Sequence, residues 1–205
     1  MSIDAAAAFP REPLPDRVKG ARATGWWGMV WLICTEAMLF ASYFASWIFL
    51  SETIRAFGEE GGRYPPLGLP SLMTVLLASS SIAAWWGEKG IEKGDQGRLR
   101  LGLAIAWLLG AAFIVCQVIE YSHKSLGPDS GAYHSLFYTI TTTHGVHLAA
   151  GLLMGAVVQL RAWLGHFTRE RHLAVQNTVL YLHFVDGVWM VIFLLVYVSP
   201  HFWRR

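Results

Sequence analysis

The sequence predicts an all-α, polytopic membrane bundle of five transmembrane helices. Three observations predict it. Apolar residues gather into five long runs, each long enough to cross a bilayer as a helix. Only 15% of residues are charged, below the roughly one quarter usual in soluble domains. Several of the ten tryptophans stand at the ends of the runs, where the ring suits the lipid–water boundary. A buried soluble bundle would need shorter runs and more amphipathic faces. The stretches between runs are too short for a separate soluble domain.

Residues 1–25 read as an N-terminal tail with three prolines and Arg11, Arg17, Lys19 and Arg22. Span one, 26–50, begins with Trp26, Trp27 and Trp31 and carries Glu36 near mid-membrane. It lacks the short apolar core and small-residue cleavage site of a signal peptide, so it is read as a retained span. Gly61, Gly62, Pro65 and Pro66 break the chain before span two, 67–86. Ser79, Ser80 and Ser81 there permit close helix packing and can bond back to their own helix or across to a neighbour. Gly87 to Arg100 reads as a compact loop with mixed charges. Span three, 101–121, turns polar at its end with Gln117, Glu120 and Tyr121, followed by His123. Span four, 133–160, holds no Asp, Glu, Lys or Arg, yet its middle reads TTTHGVH. A basic loop with HFTRERH leads to span five, 175–198, which Pro200 is expected to end. Residues 201–205 form a C-terminal tail. Cys34 and Cys116 lie within apolar runs and read as buried thiols.

Eleven Lys and Arg residues fall on one side of this arrangement and five on the other. The excess marks the cytoplasmic side, so the N-terminus is expected inside and the C-terminus outside. The basic residues form no stripe, and no nucleic-acid partner is expected. Arg17, Lys19, Arg22, Arg161, Arg169 and Arg171 could meet anionic lipid on the inner face.

The polar residues within the spans are the functional candidates, because lipid does not solvate them. Glu36 must be paired, hydrated or neutral. His144 and His147 lie three apart on span four and should face protein or a water-lined cavity. His183 and Asp186 share one side of span five, where one can orient the other or Asp186 can pair with a histidine of span four. Glu120 and His123 match one Glu-x-x-His pair of the kind that ferritin-like di-metal sites use twice. One such pair, with the other candidates at different depths, argues against a metal centre. Nothing marks a haem pocket around His144 or His147. No unbroken series of ionisable groups crosses the membrane as a proton wire. Cross-helix hydrogen bonding is the favoured role of these residues.

Four segments then resemble subunit III of the haem-copper respiratory oxidases, in its five-helix form. They are WLICTEAMLFASYF (31–44), FIVCQVIEY (113–121), FYTITTTHGVHLAAG (137–151) and YLHFVDGVWMVIFLLVY (181–197). The departures are modest: Thr142 and Thr143 stand where the family often has Gly and an apolar residue, Leu182 replaces a usual Trp, and Gly187 replaces a β-branched residue. The two additional N-terminal helices of longer members are missing from the match.

The resemblance implies an accessory subunit without redox chemistry of its own. Haem and copper would reside in partner subunits, and this chain would bind neither. It would pack against subunit I, with subunits II and IV in the complex, hold structural phospholipid in a cleft and support proton uptake. The complex would reduce oxygen to water with electrons from cytochrome c or quinol and pump protons. Glu36, Glu120, His144 and His147 are the expected lipid-cleft or interior polar residues. Tyr181, His183, Asp186 and Trp189 are the expected helix-locking residues, with Asp186 and His183 joining span five to span four. A bacterial inner-membrane location follows. An accessory subunit of nitric oxide reductase and an independent transporter are the alternative functions.

Overall fold

The computed structural model describes residues 23–53, 66–124 and 127–202. The basic residues of the tail, Arg11, Arg17, Lys19 and Arg22, lie outside the described residues, as do Gly61, Gly62 and Pro65 of the first loop and residues 203–205.

Among the described residues, five helices are long and apolar enough to cross a membrane. They are α1 (Thr24–Thr53), α2 (Gly68–Glu92), α3 (Gln96–His123), α4 (Ala132–Trp163) and α5 (Leu173–Ile192). After α5 the chain continues through a π-helical turn, Phe193–Val198, and a last α-helical turn, Ser199–Phe202. Among the described residues there is no strand. Helices α2, α3, α4 and α5 form a four-helix bundle, and α1 lies against α4 and α5.

Helix α1 is apolar on every side, and most of its surface faces outward. Phe40 and Trp47, seven apart, are its deeply buried anchors. Its outward hydroxyls still need acceptors in lipid. Thr35, Ser42, Ser46 and Ser51 donate to Leu32, Leu39, Ser42 and Ile48 carbonyls of their own helix. Cys34 also sits on the outward surface, where the sequence suggested a buried thiol.

The expected loop from Gly87 to Arg100 is almost wholly helix. Only Lys93 to Asp95 separate α2 from α3. Gly94 takes φ +83°, the left-handed conformation open to glycine. Asp95 then caps α3, its side chain accepting from the Arg98 amide at 3.0 Å. The glycines that suggested a loop serve packing instead. A Cβ built on Gly102 would lie 2.6 Å from the Gly87 Cα and 2.7 Å from the Ala83 carbonyl oxygen. Two backbones touch there, which only glycine permits. Arg98 and Arg100, now helical, rest over the rings of Trp86 and Trp163 at 5.1 and 5.4 Å.

The interior falls into two clusters along the bundle. One packs Ala84, Leu99, Leu103, Val158, Phe167 and Val179 near the α2–α3 turn. The other packs Phe40, Phe113, Phe137, Leu148, Trp189, Ile192 and Tyr197 toward the far end. The π turn matters to the second cluster. Its wider winding slows the rotation of successive side chains, so Tyr197 stays on the inward side beneath Trp189, with ring centroids 6.1 Å apart. Pro200 does not break the helix; it sits within the last turn.

Replacing Gly102 with Leu should force α2 and α3 apart. We expect a loss of about 1–3 kcal/mol from overpacking, read as a lower midpoint of thermal unfolding in detergent. The same change at Gly187, whose Cβ would meet nothing within 4 Å, should leave the isolated chain's midpoint unchanged.

Candidate functional site

Among the described residues, the predicted site residues that bond across the bundle do so in the first, second and fourth of four clusters, each joining different segments. The first joins α1 to α4. His147 Nε2 and Glu36 Oε2 lie 2.8 Å apart, and His147 Nδ1 lies 2.8 Å from the Thr143 carbonyl oxygen. A carbonyl only accepts, so Nδ1 carries a proton. The Glu36 contact then needs one more, on Nε2 or on the carboxyl. Either way the pair is neutral overall, which is the arrangement a membrane interior tolerates. Both side chains keep some exposure, 16% for His147 and 26% for Glu36, so the pair borders the outer surface between α1 and α4.

The second cluster joins α2 to α5. Ser81 Oγ donates to Asp186 Oδ2 at 2.7 Å and lies 2.7 Å from His183 Nδ1. One turn along, Trp189 Nε1 donates to Thr74 Oγ1 at 3.0 Å. Asp186 and His183 therefore lock span five to span two, and the expectation of span four is corrected. The reason is helical spacing. The α5 face toward α4 is taken by Tyr181 and Leu182, which press on Gly151, and Tyr181 Oη donates to the His147 carbonyl at 3.3 Å. Asp186, four after Leu182, lies at the edge of that face nearer α2, and His183 lies beyond it, so both reach Ser81.

The third cluster joins α3 to α4. Gln117 Nε2 donates to the Thr141 carbonyl at 2.6 Å and to Tyr121 Oη at 3.1 Å. Tyr121 Oη also meets the hydroxyls of Thr141 at 2.7 Å and Thr142 at 3.1 Å. Gly145 makes room, because a Cβ there would lie 2.7 Å from Gln117 Oε1.

The fourth cluster joins α3 to the π turn. Tyr197 Oη donates to Glu120 at 2.9 and 3.1 Å, and Lys124 lies 3.9 Å from the same carboxylate. Lys124, just past the span, also sits 3.6 Å from the centre of the Phe137 ring. Burial there lowers the pKa of its amine, and the charge of Glu120 opposes that shift.

The structure does not bring together Glu120 and His123. His123 is exposed and turns back to the Ile119 carbonyl at 2.8 Å. Among the described residues no three His, Cys, Asp or Glu side chains converge as a metal-ligand set. His144 also departs from expectation. It is 0% exposed, and neither ring nitrogen has a hydrogen-bond partner. It packs as an aromatic, 5.6 Å from the Phe113 ring and 5.3 Å from Trp189.

Sequence reasoning allowed the serines of α2 to bond across to a neighbour, as Ser80 and Ser81 do, but did not name their partners, and it missed Thr74 and Tyr197. A weak signal existed: Thr74 and Ser81 stand seven apart, two helical turns along one face.

Removing the Ser81 hydroxyl should strand Asp186 and His183 together. For Ser81→Ala we expect a loss of about 1–3 kcal/mol. Asp186→Asn should cost less, because its amide oxygen can still accept from Ser81. Unfolding midpoints of the purified chain in detergent measure the order.

The sequence profile of cytochrome c oxidase subunit III matches residues 18–203 of the chain. Cytochrome c oxidase subunit 3 of Pylaiella littoralis is 34% identical over 83% of this chain and 65% of its own length. The proteins of the same name from Oryctolagus cuniculus and a Synechocystis strain are each 33% identical, over 86% and 83% of this chain and 69% and 73% of theirs. The chain thus spans about two thirds of the length of these relatives. A five-helix membrane bundle and a profile match over nearly its whole extent agree: the chain belongs to the cytochrome c oxidase subunit III family.

Proposed function

We propose that this chain is the accessory, non-redox subunit of a proton-pumping terminal oxidase that reduces oxygen to water. The observation that carries this reading is the family match across all five spans. The internal chemistry is consistent with it. Glu36, Glu120, His147, His183 and Asp186 are each engaged with a residue of another helix or of the π turn. They hold the bundle together and need no cofactor to explain their presence.

In this reading haem and copper sit in partner subunits, with subunit I as the main contact and subunits II and IV in the same complex. The relatives' name, cytochrome c oxidase, favours cytochrome c over quinol as electron donor. The nitric oxide reductase and transporter alternatives draw no support from the family match. The Lys and Arg asymmetry supports a cytoplasmic N-terminus and an outer C-terminus. The resemblance to the five-helix form supports the bacterial inner membrane. The half-open edge between α1 and α4, with the Glu36–His147 pair at its border, is our candidate for contact with a structural phospholipid.

Gentle purification through a tag on this chain should recover haem-bearing oxidase subunits, identified by mass spectrometry and absorbance spectra. A solitary chain that catalyses solute flux in vesicles, or holds one metal ion per polypeptide, would reject the reading. Within the complex, Glu36→Gln should leave the initial oxygen-reduction rate unchanged and shorten the period over which turnover is sustained. The Gln amide can still donate to His147, but the shared proton and the polarity of the lipid edge change. An immediate loss of haem reduction would count against that role.

A further inference from the structure

The Ser81 hydroxyl has one proton, and it serves Asp186. Ser81 must therefore accept from His183, which places a proton on His183 Nδ1. Mid-membrane burial disfavours the charged form of either group; with the imidazole neutral, the other nitrogen, Nε2, is an acceptor. Nε2 makes no hydrogen bond to any described residue, and it is not sealed inside the bundle. Ser81 and Asp186 thus hold a lone pair aimed away from their own contact.

His183 lies ten residues into the 26-residue span Leu173–Val198, about 15 Å along the helix. Lipid tails offer no donor at that depth. The neighbouring surface is shaped for a helix. Gly187 and Met190 follow His183 at the fourth and seventh positions and face outward with Val191. A Cβ on Gly187 would meet nothing within 4 Å, so a second backbone can approach closely. Ala78 of α2, also outward, adds another small residue one turn before Ser81.

We infer that this face of α5, at His183, Gly187 and Met190, docks a transmembrane helix of a different polypeptide, whose hydrogen-bond donor His183 Nε2 receives. A second copy of this chain fits poorly. A two-fold interface places the same patch on both sides, and here acceptor would meet acceptor. The inference rests on the accessory-subunit reading only in that such a complex supplies the helix.

The test uses the tagged full chain in its native membrane, with a photo-crosslinking benzoylphenylalanine at position 190. Irradiation should give an adduct that peptide mapping assigns to a membrane-spanning segment of another polypeptide carrying a donor side chain. Gly187→Leu should reduce that adduct at least tenfold without lowering the isolated chain's unfolding midpoint. His183→Phe should reduce it more than Ser81→Ala, because both break the internal bond but only the first removes the acceptor. An adduct with a second copy, an adduct with lipid alone, or an undiminished adduct in Gly187→Leu would overturn the inference. If oxidase subunits co-purify while position 190 gives no polypeptide adduct, this surface is wrong and the accessory role stands. If no oxidase subunits co-purify with the wild-type chain, that role fails, and an adduct with another membrane helix still supports the surface.

Discussion

Hydrocarbon gives a polar side chain nothing to bond with, and this bundle is organised by that constraint. A donor or acceptor placed within a span is costly unless protein supplies its partner, and His144, sealed without one, is an exception. Glu36 finds His147, Asp186 finds Ser81, Glu120 finds Tyr197, and Gln117 finds Tyr121 and the Thr141 carbonyl. The bonds Glu36–His147, Asp186–Ser81 and Gln117–Thr141 cross between helices and Glu120–Tyr197 reaches the π turn, so each of these four also fixes how two segments sit together; Gln117–Tyr121 stays within α3. Apolar packing fills the space between them but offers little choice of register, since lipid tails are as apolar as leucine.

Helix α4 stands at the centre of this arrangement. It touches α1 through His147, α3 through Thr141 and Thr142, and α5 through Gly151 and the His147 carbonyl. It carries no charged residue between Tyr133 and Leu160, yet holds the densest set of hydroxyl and imidazole groups in the chain. Its glycines set the distances: Gly145 admits Gln117, and Gly151 admits Tyr181 and Leu182. The α2–α3 pair is built differently, on direct backbone contact at Gly87 and Gly102. Ser80 adds a cross-helix bond to that contact, donating to the Ala106 carbonyl at 3.0 Å.

These devices suit an accessory role. A subunit that supports a larger redox assembly needs a fixed shape and a specific outer surface, and its ionisable groups need no reactive state of their own. The neutral Glu36–His147 pair and the Ser81 bridge between Asp186 and His183 each leave a polar atom near the outside of the bundle. Polar atoms at a membrane-facing surface favour protein or lipid headgroup neighbours over acyl chains.

The sequence by itself determined the helix number, the membrane class and the family, because these depend on hydropathy over whole runs and on motifs that are contiguous in the chain. It also marked which polar residues would be costly in lipid. It did not determine their partners. His144 and His147 look alike in sequence, but one is sealed among Phe113 and Trp189 while the other bonds Glu36. Likewise Asp186 turned to Ser81 on α2 and away from α4, and Glu120 met Tyr197 only because a π turn slows the winding of the last helix. Gly87 and Gly90 read as loop and proved to be helix. In each case the decision rests on the rotation of one helix against another, a relation between residues distant in sequence that only the packed bundle fixes.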